Sequence, residues 1–116
     1  MSKTYKPRRA GARWLQDAPD YVLDVLDDGK SIDRYTVFFG GALLIHDGEP
    51  SPGSTRVPYL AMSGNPTHPQ GFSQWGELRA YEAAGYRYRH GRHRIRWLDL
   101  PENIRAHVKA RVENDD

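Results

Sequence analysis

The chain has 116 residues, contains no cysteine and carries a formal net charge of +2 at pH 7. This length fits one domain with one modest core, and the lack of cysteine excludes disulfides, thiolate catalysis and cysteine zinc sites. No stretch approaches the roughly 18 apolar residues of a membrane span, and no apolar run follows the basic start as it would in a secretory signal. We therefore expect a cytoplasmic protein with no membrane partner.

Residues 1–12 are basic, contain a proline and a glycine, and lack apolar periodicity. This composition predicts a flexible basic arm, which either keeps the protein in solution or contacts nucleic acid. Residues 13–116 are expected to form a single domain. Acidic residues follow the arm and arginines return near residue 90, so the charges are segregated far more than the net charge indicates.

Apolar, aromatic and β-branched residues predict the strands. Residues 21–26 and 32–39 are separated by an Asp-Gly turn signal and are expected to form an antiparallel hairpin. A third strand is predicted at 42–45 and a fourth at 57–62. The loop between them, at 47–54, is rich in Pro, Gly and Ser, so these two strands are predicted to form a second hairpin.

Two later segments favour helices. Residues 77–84 are good helix formers, and Gly85 predicts the end of that helix. Asp99 begins a capping-box pattern, and apolar residues spaced four apart from Ile104 onwards predict one buried helical face. The sum is a small α+β domain, in which an antiparallel sheet of about four strands has one or two helices packed on one face.

The stretch 63–76 is predicted to be an ordered loop over the core, because it contains large aromatic residues that favour burial. Its prolines restrain the backbone around His68, and Ser63 and Gln70 add hydrogen-bonding groups. An imidazole with an ordinary pKa of about 6.5 could serve there as a general base, an anion donor or a metal ligand. The alternative is that His68 only stabilises the loop.

Asp33 and Tyr35 are the other candidate catalytic residues, since alternate residues of a strand share one face. Together with His68 they would suit a small hydrolase or transferase. The alternative is an ion pair of Arg34 beside a half-buried Tyr35 with a structural role only. No common hydrolase, phosphate-loop or dinucleotide signature occurs in the chain, so no cofactor is predicted and a non-enzymatic protein is favoured.

The segment 86–97 mixes arginine with histidine, tyrosine and tryptophan. Arginine binds phosphate bidentately and aromatic rings stack on bases, so this segment favours an anionic ligand. The alternative is that its arginines pair with the aspartates of the first hairpin. No metal is predicted, because the histidines lack the spacing of a helical metal site and because His90 and His93 lie among cations. The predicted ligand-binding residues are Arg34, Ser63, His68, Gln70, Arg87, Arg89, Arg92 and Arg94.

Several short motifs resemble a pattern found in small uncharacterised bacterial and phage proteins. The pattern combines an Asp-Arg-Tyr-Thr strand with a later Met-Ser-x-x-Pro-x-x-Pro-Gln-Gly-Phe segment. The matching residues are Asp33, Arg34, Tyr35, Thr36, Met62, Ser63, Pro66, Pro69, Gln70, Gly71 and Phe72. The resemblance implies no catalytic residues, and by analogy it implies a phage or mobile-element accessory factor.

The leading hypothesis is a non-enzymatic binding protein for an anionic ligand, either a nucleic acid or a nucleotide. The first alternative is a protein-interaction module that inhibits a host nucleic-acid enzyme or defence enzyme. The second alternative is the hydrolase or transferase that uses His68. The patterns leave the oligomeric state open, a homodimer included.

Overall fold

The computed structural model of the protein describes residues 13–29, 34–46, 55–64 and 73–114. They form an open, five-stranded antiparallel sheet and two α-helices, so the α+β class predicted from the sequence is confirmed. The strands are β1 (Val22–Asp27), β2 (Tyr35–Phe39), β3 (Ile45–His46), β4 (Thr55–Met62) and β5 (Ser73–Arg79), and the helices are α1 (Ala80–Arg89) and α2 (Glu102–Asn114). Among these residues no helix has the length and apolar character to cross a membrane. The arm predicted at 1–12 lies outside them.

β4 is the central strand of the sheet. On one side it pairs with β5 along residues 56–62. On its other side, residues 59–62 pair with β2 and the first two residues of the strand pair with β3. Pro58 lies between the part of β4 that pairs with β2 and the part that pairs with β3. Because no described strand pairs with this position on that side, the missing N–H of proline costs no hydrogen bond there. β1 pairs with β2 and forms the far end of the sheet.

Each face of the sheet is covered by its own helix. The larger core lies between the sheet and α2, where Trp97, Ile104 and Val108 are buried against side chains of β1, β2 and β4. The opposite face packs against α1, where Ala83 meets Phe38 of β2. The buried helical face predicted from Ile104 onwards is therefore confirmed. Burial of apolar surface on both faces favours folding by about 25 cal/mol for each Å² removed from water.

A bulge in β1 decides which face of the sheet Asp24 occupies. The ladder with β2 shifts register between Val22 and Asp24, which leaves Leu23 as an extra residue in the strand. One extra residue reverses the alternation of the side chains that follow it. Val25 therefore packs in the α2 core, as Val22 does, whereas Asp24 lies on the face covered by α1 and contacts that helix.

The structure from residue 73 onwards differs from its prediction. The sequence predicts a loop up to residue 76 and a helix at 77–84. In the structure, β5 covers Ser73–Arg79, so it replaces the end of the predicted loop and the start of the predicted helix. The helix α1 begins only at Ala80 and continues to Arg89. Both predictions are wrong here because local propensity is weak, whereas pairing with β4 satisfies the backbone of β5. The stop predicted at Gly85 is also wrong. Contacts beyond it, such as Tyr86 against Phe38, offset the glycine penalty of about 1 kcal/mol.

Two shorter predictions also need correction. In place of the strand predicted at 42–45, the chain forms a 3₁₀ turn and the two-residue strand β3, because Gly41 at φ 58° bends the backbone. Asp99 does not cap α2. Its carboxylate accepts the Arg96 N–H at 3.0 Å and the Arg96 guanidinium at 2.7 Å, and so it closes the 3₁₀ turn before that helix.

Candidate functional site

A buried carboxylate joins two arginines of the basic segment. Asp24 is 0% exposed. Its Oδ2 accepts bonds from Nε of Arg87 and Nη2 of Arg94, both at 2.9 Å. Its Oδ1 accepts a bond from Nε of Arg94 at 2.8 Å and one from the Val25 N–H at 2.9 Å. These bonds match the roughly four lone-pair sites of a carboxylate, so the buried charge is fully satisfied.

The contacts of Asp24 hold three parts of the chain together. Arg87 lies in the last turn of α1, and Arg94 follows the 3₁₀ turn Gly91–His93. The Arg94 guanidinium also lies over the Trp14 ring, 4.6 Å from its centroid. Hydrogen bonding to Asp24 raises the pKa of Arg94 above its ordinary value. These two arginines therefore stabilise the fold, as the alternative interpretation of the basic segment predicts.

A third predicted ligand-binding arginine is paired as well. Arg34 donates from Nε to Oδ1 of Asp27 at 3.0 Å and from Nη2 to Oδ2 at 3.2 Å. Its guanidinium also lies 4.9 Å from the centroid of the Tyr35 ring. The hydrogen bonds from Arg34 lower the pKa of Asp27. The pair is exposed and contributes little to stability. Its two hydrogen bonds nevertheless occupy donors of the Arg34 guanidinium that a ligand would otherwise use.

Arg89 and Arg92 differ from these arginines. Both are exposed, and neither pairs with a carboxylate within the residues that the structure describes. Two tyrosines on α1 are also exposed, Tyr88 by 88% and Tyr81 by 68%. They are seven residues apart and so share one side of the helix. We call Tyr81, Tyr88, Arg89 and Arg92 the tyrosine–arginine surface.

Two other predicted site residues, Tyr35 and Ser63, lie at one end of the sheet, where the ends of four strands are neighbours. Asp27, Tyr35, Met62 and Ser73 are successive cross-strand neighbours at the ends of β1, β2, β4 and β5. Tyr35 belongs to the α2 core, and Ser63, directly after β4, is buried too. Both side chains are therefore largely withdrawn from the surface.

Asp33, His68 and Gln70 lie outside the described residues. Gly64, the last described residue before His68, lies beside Arg34, because a Cβ built on Gly64 would be 3.2 Å from Cδ of Arg34. The described residues after β4 thus end at Gly64, next to the Arg34 pair. The roles predicted for these three side chains stay predictions.

A second polar cluster, which the sequence does not predict, joins β5 to α2. The Ser73 hydroxyl lies 2.6 Å from Nε2 of His107 and accepts a 2.7 Å bond from Nη1 of Arg111. The Arg111 guanidinium also lies 5.5 Å from the centroid of the Trp75 ring. A Ser–His contact of this length occurs between a nucleophile and its base. Here Arg111 also donates to the Ser73 hydroxyl oxygen, and the three side chains connect α2 to β5. These contacts favour a structural role over a catalytic one.

Acid should weaken this cluster. Burial, and then the charge of Arg111, lower the pKa of His107 below its ordinary 6.5, so the folded protein favours neutral His107. The unfolded chain takes up the proton first as the pH falls. Neutral His107 therefore makes its full contribution to the free energy of unfolding above about pH 6.5, and this contribution is lost progressively as the pH falls below that value.

We expect the melting temperature of the wild-type protein to fall more steeply than that of His107→Gln between about pH 7.5 and about pH 5. Circular dichroism at a series of pH values measures both curves. The other histidines are common to the two proteins, so the difference between the curves isolates His107. Parallel curves would show that His107 is not held neutral by the fold.

The chain was compared with protein-family models, curated proteins and solved structures, and none of them matches it. Function is therefore inferred from the residues and their geometry. The resemblance to small bacterial and phage proteins stays a prediction.

Proposed function

We propose that this is a non-enzymatic protein that binds single-stranded nucleic acid through the tyrosine–arginine surface. The observation that carries the proposal is the exposed ring of Tyr88, 88% open to solvent, followed within four residues of the chain by two exposed arginines that bind no carboxylate in the described ranges. Aromatic rings among cations are how proteins hold the bases and phosphates of single strands without regard to sequence. The paired arginines, Arg87 and Arg94, support this surface from inside the fold.

The two tyrosines would contact separate parts of one strand. Seven residues of α-helix place Tyr81 and Tyr88 about 10 Å apart along the axis of α1. Each base stacked on an exposed tyrosine contributes about 1–3 kcal/mol, and any base can stack because all have a π-face. The guanidiniums of Arg89 and Arg92 are suited to phosphate oxygens, which they can bind through two parallel hydrogen bonds.

The charge around this surface stays positive after internal pairing is counted. Asp24 neutralises only one of the two guanidinium charges that it binds. Arg89 and Arg92 add two further charges, and Glu82 is the one acidic residue of α1. A positive surface of this kind attracts a polyanion over distances of about 10 Å and loses that attraction as salt rises.

Fluorescence anisotropy of a labelled single-stranded oligothymidine at low salt tests the proposal. We expect binding that weakens steeply with salt, with a slope of about −0.7 for each phosphate neutralised in a log–log plot. Tyr88→Ala should weaken binding by about 1–3 kcal/mol. Arg89→Ala should weaken it and reduce the salt slope by roughly the share of one phosphate.

Lys109→Ala is the matched control for Arg89→Ala, because Lys109 is an exposed cation on the other helix. It removes the same charge and should leave the affinity and the salt slope nearly unchanged. The proposal is wrong if the wild-type protein does not bind at low salt, or if Lys109→Ala weakens binding as much as Arg89→Ala. Equal binding of a mononucleotide would identify a nucleotide as the ligand instead.

A further inference from the structure

Asp28, His90 and His93 form a cluster that neither the core nor the tyrosine–arginine surface explains. One potential ligand atom from each of the three side chains lies within 4.8 Å of the other two, and all three residues are half-buried. Asp28 directly follows β1, whereas His90 directly precedes the 3₁₀ turn Gly91–His93 and His93 ends it. We infer that this cluster binds a divalent transition-metal ion such as Zn²⁺.

Backbone hydrogen bonds hold all three residues in place. The Asp28 N–H donates to the Arg34 carbonyl at 2.7 Å. The His90 N–H donates to the Tyr86 carbonyl and the His93 N–H to the His90 carbonyl, each at 2.9 Å. The His90 ring also stacks on the Tyr86 ring, with 4.1 Å between centroids. The backbone of the three ligands is therefore held in place before an ion arrives, which lowers the entropic cost of binding.

The ligand types select the class of ion. Two imidazoles and one carboxylate are a donor set of Zn²⁺ and its neighbours in the first transition series, with a fourth position left for water. Mg²⁺ and Ca²⁺ take oxygen ligands, so two histidines argue against them. Bonds of about 2.0–2.2 Å place tetrahedral ligand atoms roughly 3.4 Å apart. Small side-chain rotations would close the present spacing of up to 4.8 Å.

The arginines around the cluster are mostly matched by carboxylates. Asp24 accepts bonds from two of them and Asp27 from a third. Two of these three guanidinium charges are therefore neutralised, and Asp28 itself supplies a negative ligand, so the cationic field that the sequence indicates is reduced at short range. Arg89 and Arg92 are exposed, where salt and water screen their charges. The objection that the sequence raises to a cation at His90 and His93 is thereby reduced.

Metal binding by the untagged full chain, first freed of metal with a chelator, tests the inference. We expect Co²⁺ to bind at one ion per chain with visible absorption bands, and Zn²⁺ to displace it. His93→Ala and Asp28→Asn should each weaken Zn²⁺ binding at least about tenfold, while their circular dichroism spectra stay those of the wild type. At the same concentration, Zn²⁺ should raise the melting temperature of the wild-type protein more than that of either variant.

His46→Ala is the control, because His46 is exposed on β3, which pairs with the opposite end of β4. This variant should bind Zn²⁺ as the wild type does. Absence of a one-to-one complex, wild-type affinity in His93→Ala and Asp28→Asn, or an equal loss in His46→Ala would overturn the inference. If His93→Ala fails to fold, Asp28→Asn decides, because it keeps the shape of the side chain. No oligonucleotide is present, so the result is independent of the proposed function.

Discussion

Asp24→Ala should destabilise the protein by about 3–5 kcal/mol, since it removes one side of a buried ion pair. The carboxylate accepts three side-chain bonds from Arg87 and Arg94 and is shielded from water. Without it, two guanidiniums repel each other where each has lost its partner. Their side chains are 25% and 30% exposed, so partial turning towards solvent reduces the loss without removing it. Urea unfolding followed by circular dichroism measures the change.

Asp27→Ala is the matched control for this experiment. Asp27 lies on the same strand and also binds an arginine, but its pair with Arg34 is exposed. Its removal should cost about 0–1 kcal/mol. Asp24→Asn keeps the shape of the side chain and removes only the charge, so it should fall between the two alanine variants. Equal losses for Asp24→Ala and Asp27→Ala would contradict the burial of the Asp24 site.

Trp97→Ala should also be severe, at about 3–5 kcal/mol, because it empties a large volume in the core. Trp97 is 2% exposed and packs in the same cluster as Leu15, Leu100 and Ile104. The indole therefore fills the space between the sheet, the first described turn and the start of α2. At roughly 4 °C for each kcal/mol in a domain of this size, the melting temperature should fall by at least about 12 °C.

Leu98→Ala provides the comparison within the same 3₁₀ turn. Leu98 is 39% exposed. Because it is a surface position, its substitution should lower the free energy of unfolding by no more than about 0.5 kcal/mol. Both variants shorten an apolar side chain in neighbouring positions, so they differ mainly in burial. A Trp97→Ala protein as stable as Leu98→Ala would show that the indole does not fill the α2 core.

Elements with a strong local pattern could be predicted from the sequence. The β1–β2 hairpin follows from two apolar runs around an Asp-Gly turn, and β4 from one apolar run. The buried face of α2 follows from the four-residue spacing of Ile104 and Val108. These patterns depend on neighbours in the sequence, which is why they survive in the structure.

Features that depend on distant residues could not be predicted. β5 has the composition of a loop followed by a helix, and it becomes a strand because β4 offers a partner along residues 56–62. Asp24 is 63 residues from Arg87 and 70 from Arg94, and a bulge at Leu23 is needed to turn it towards them. No property of a short window indicates such contacts.

The candidate site was predicted in part for the same reason. The sequence identifies Arg87, Arg89, Arg92 and Arg94 together, but it cannot separate the two that bind Asp24 from the two that are exposed. For Arg87 and Arg89 that separation depends on α1 continuing through Gly85, because two residues of α-helix turn side chains to nearly opposite sides. The sequence argues against a metal at His90 and His93 because their spacing is not that of a helical site and because arginines surround them. It does not show that Asp28 lies next to both histidines, or that carboxylates pair with the nearby arginines.

Amide chemical-shift mapping of the ¹⁵N-labelled protein with single-stranded oligothymidine tests most directly where nucleic acid binds. We predict that the largest shifts at low salt fall on Tyr81, Tyr88, Arg89 and Arg92, and that they fade as salt rises. Binding with shifts confined to the opposite side of the sheet, around α2, would contradict the account, and so would the absence of any shift at low salt.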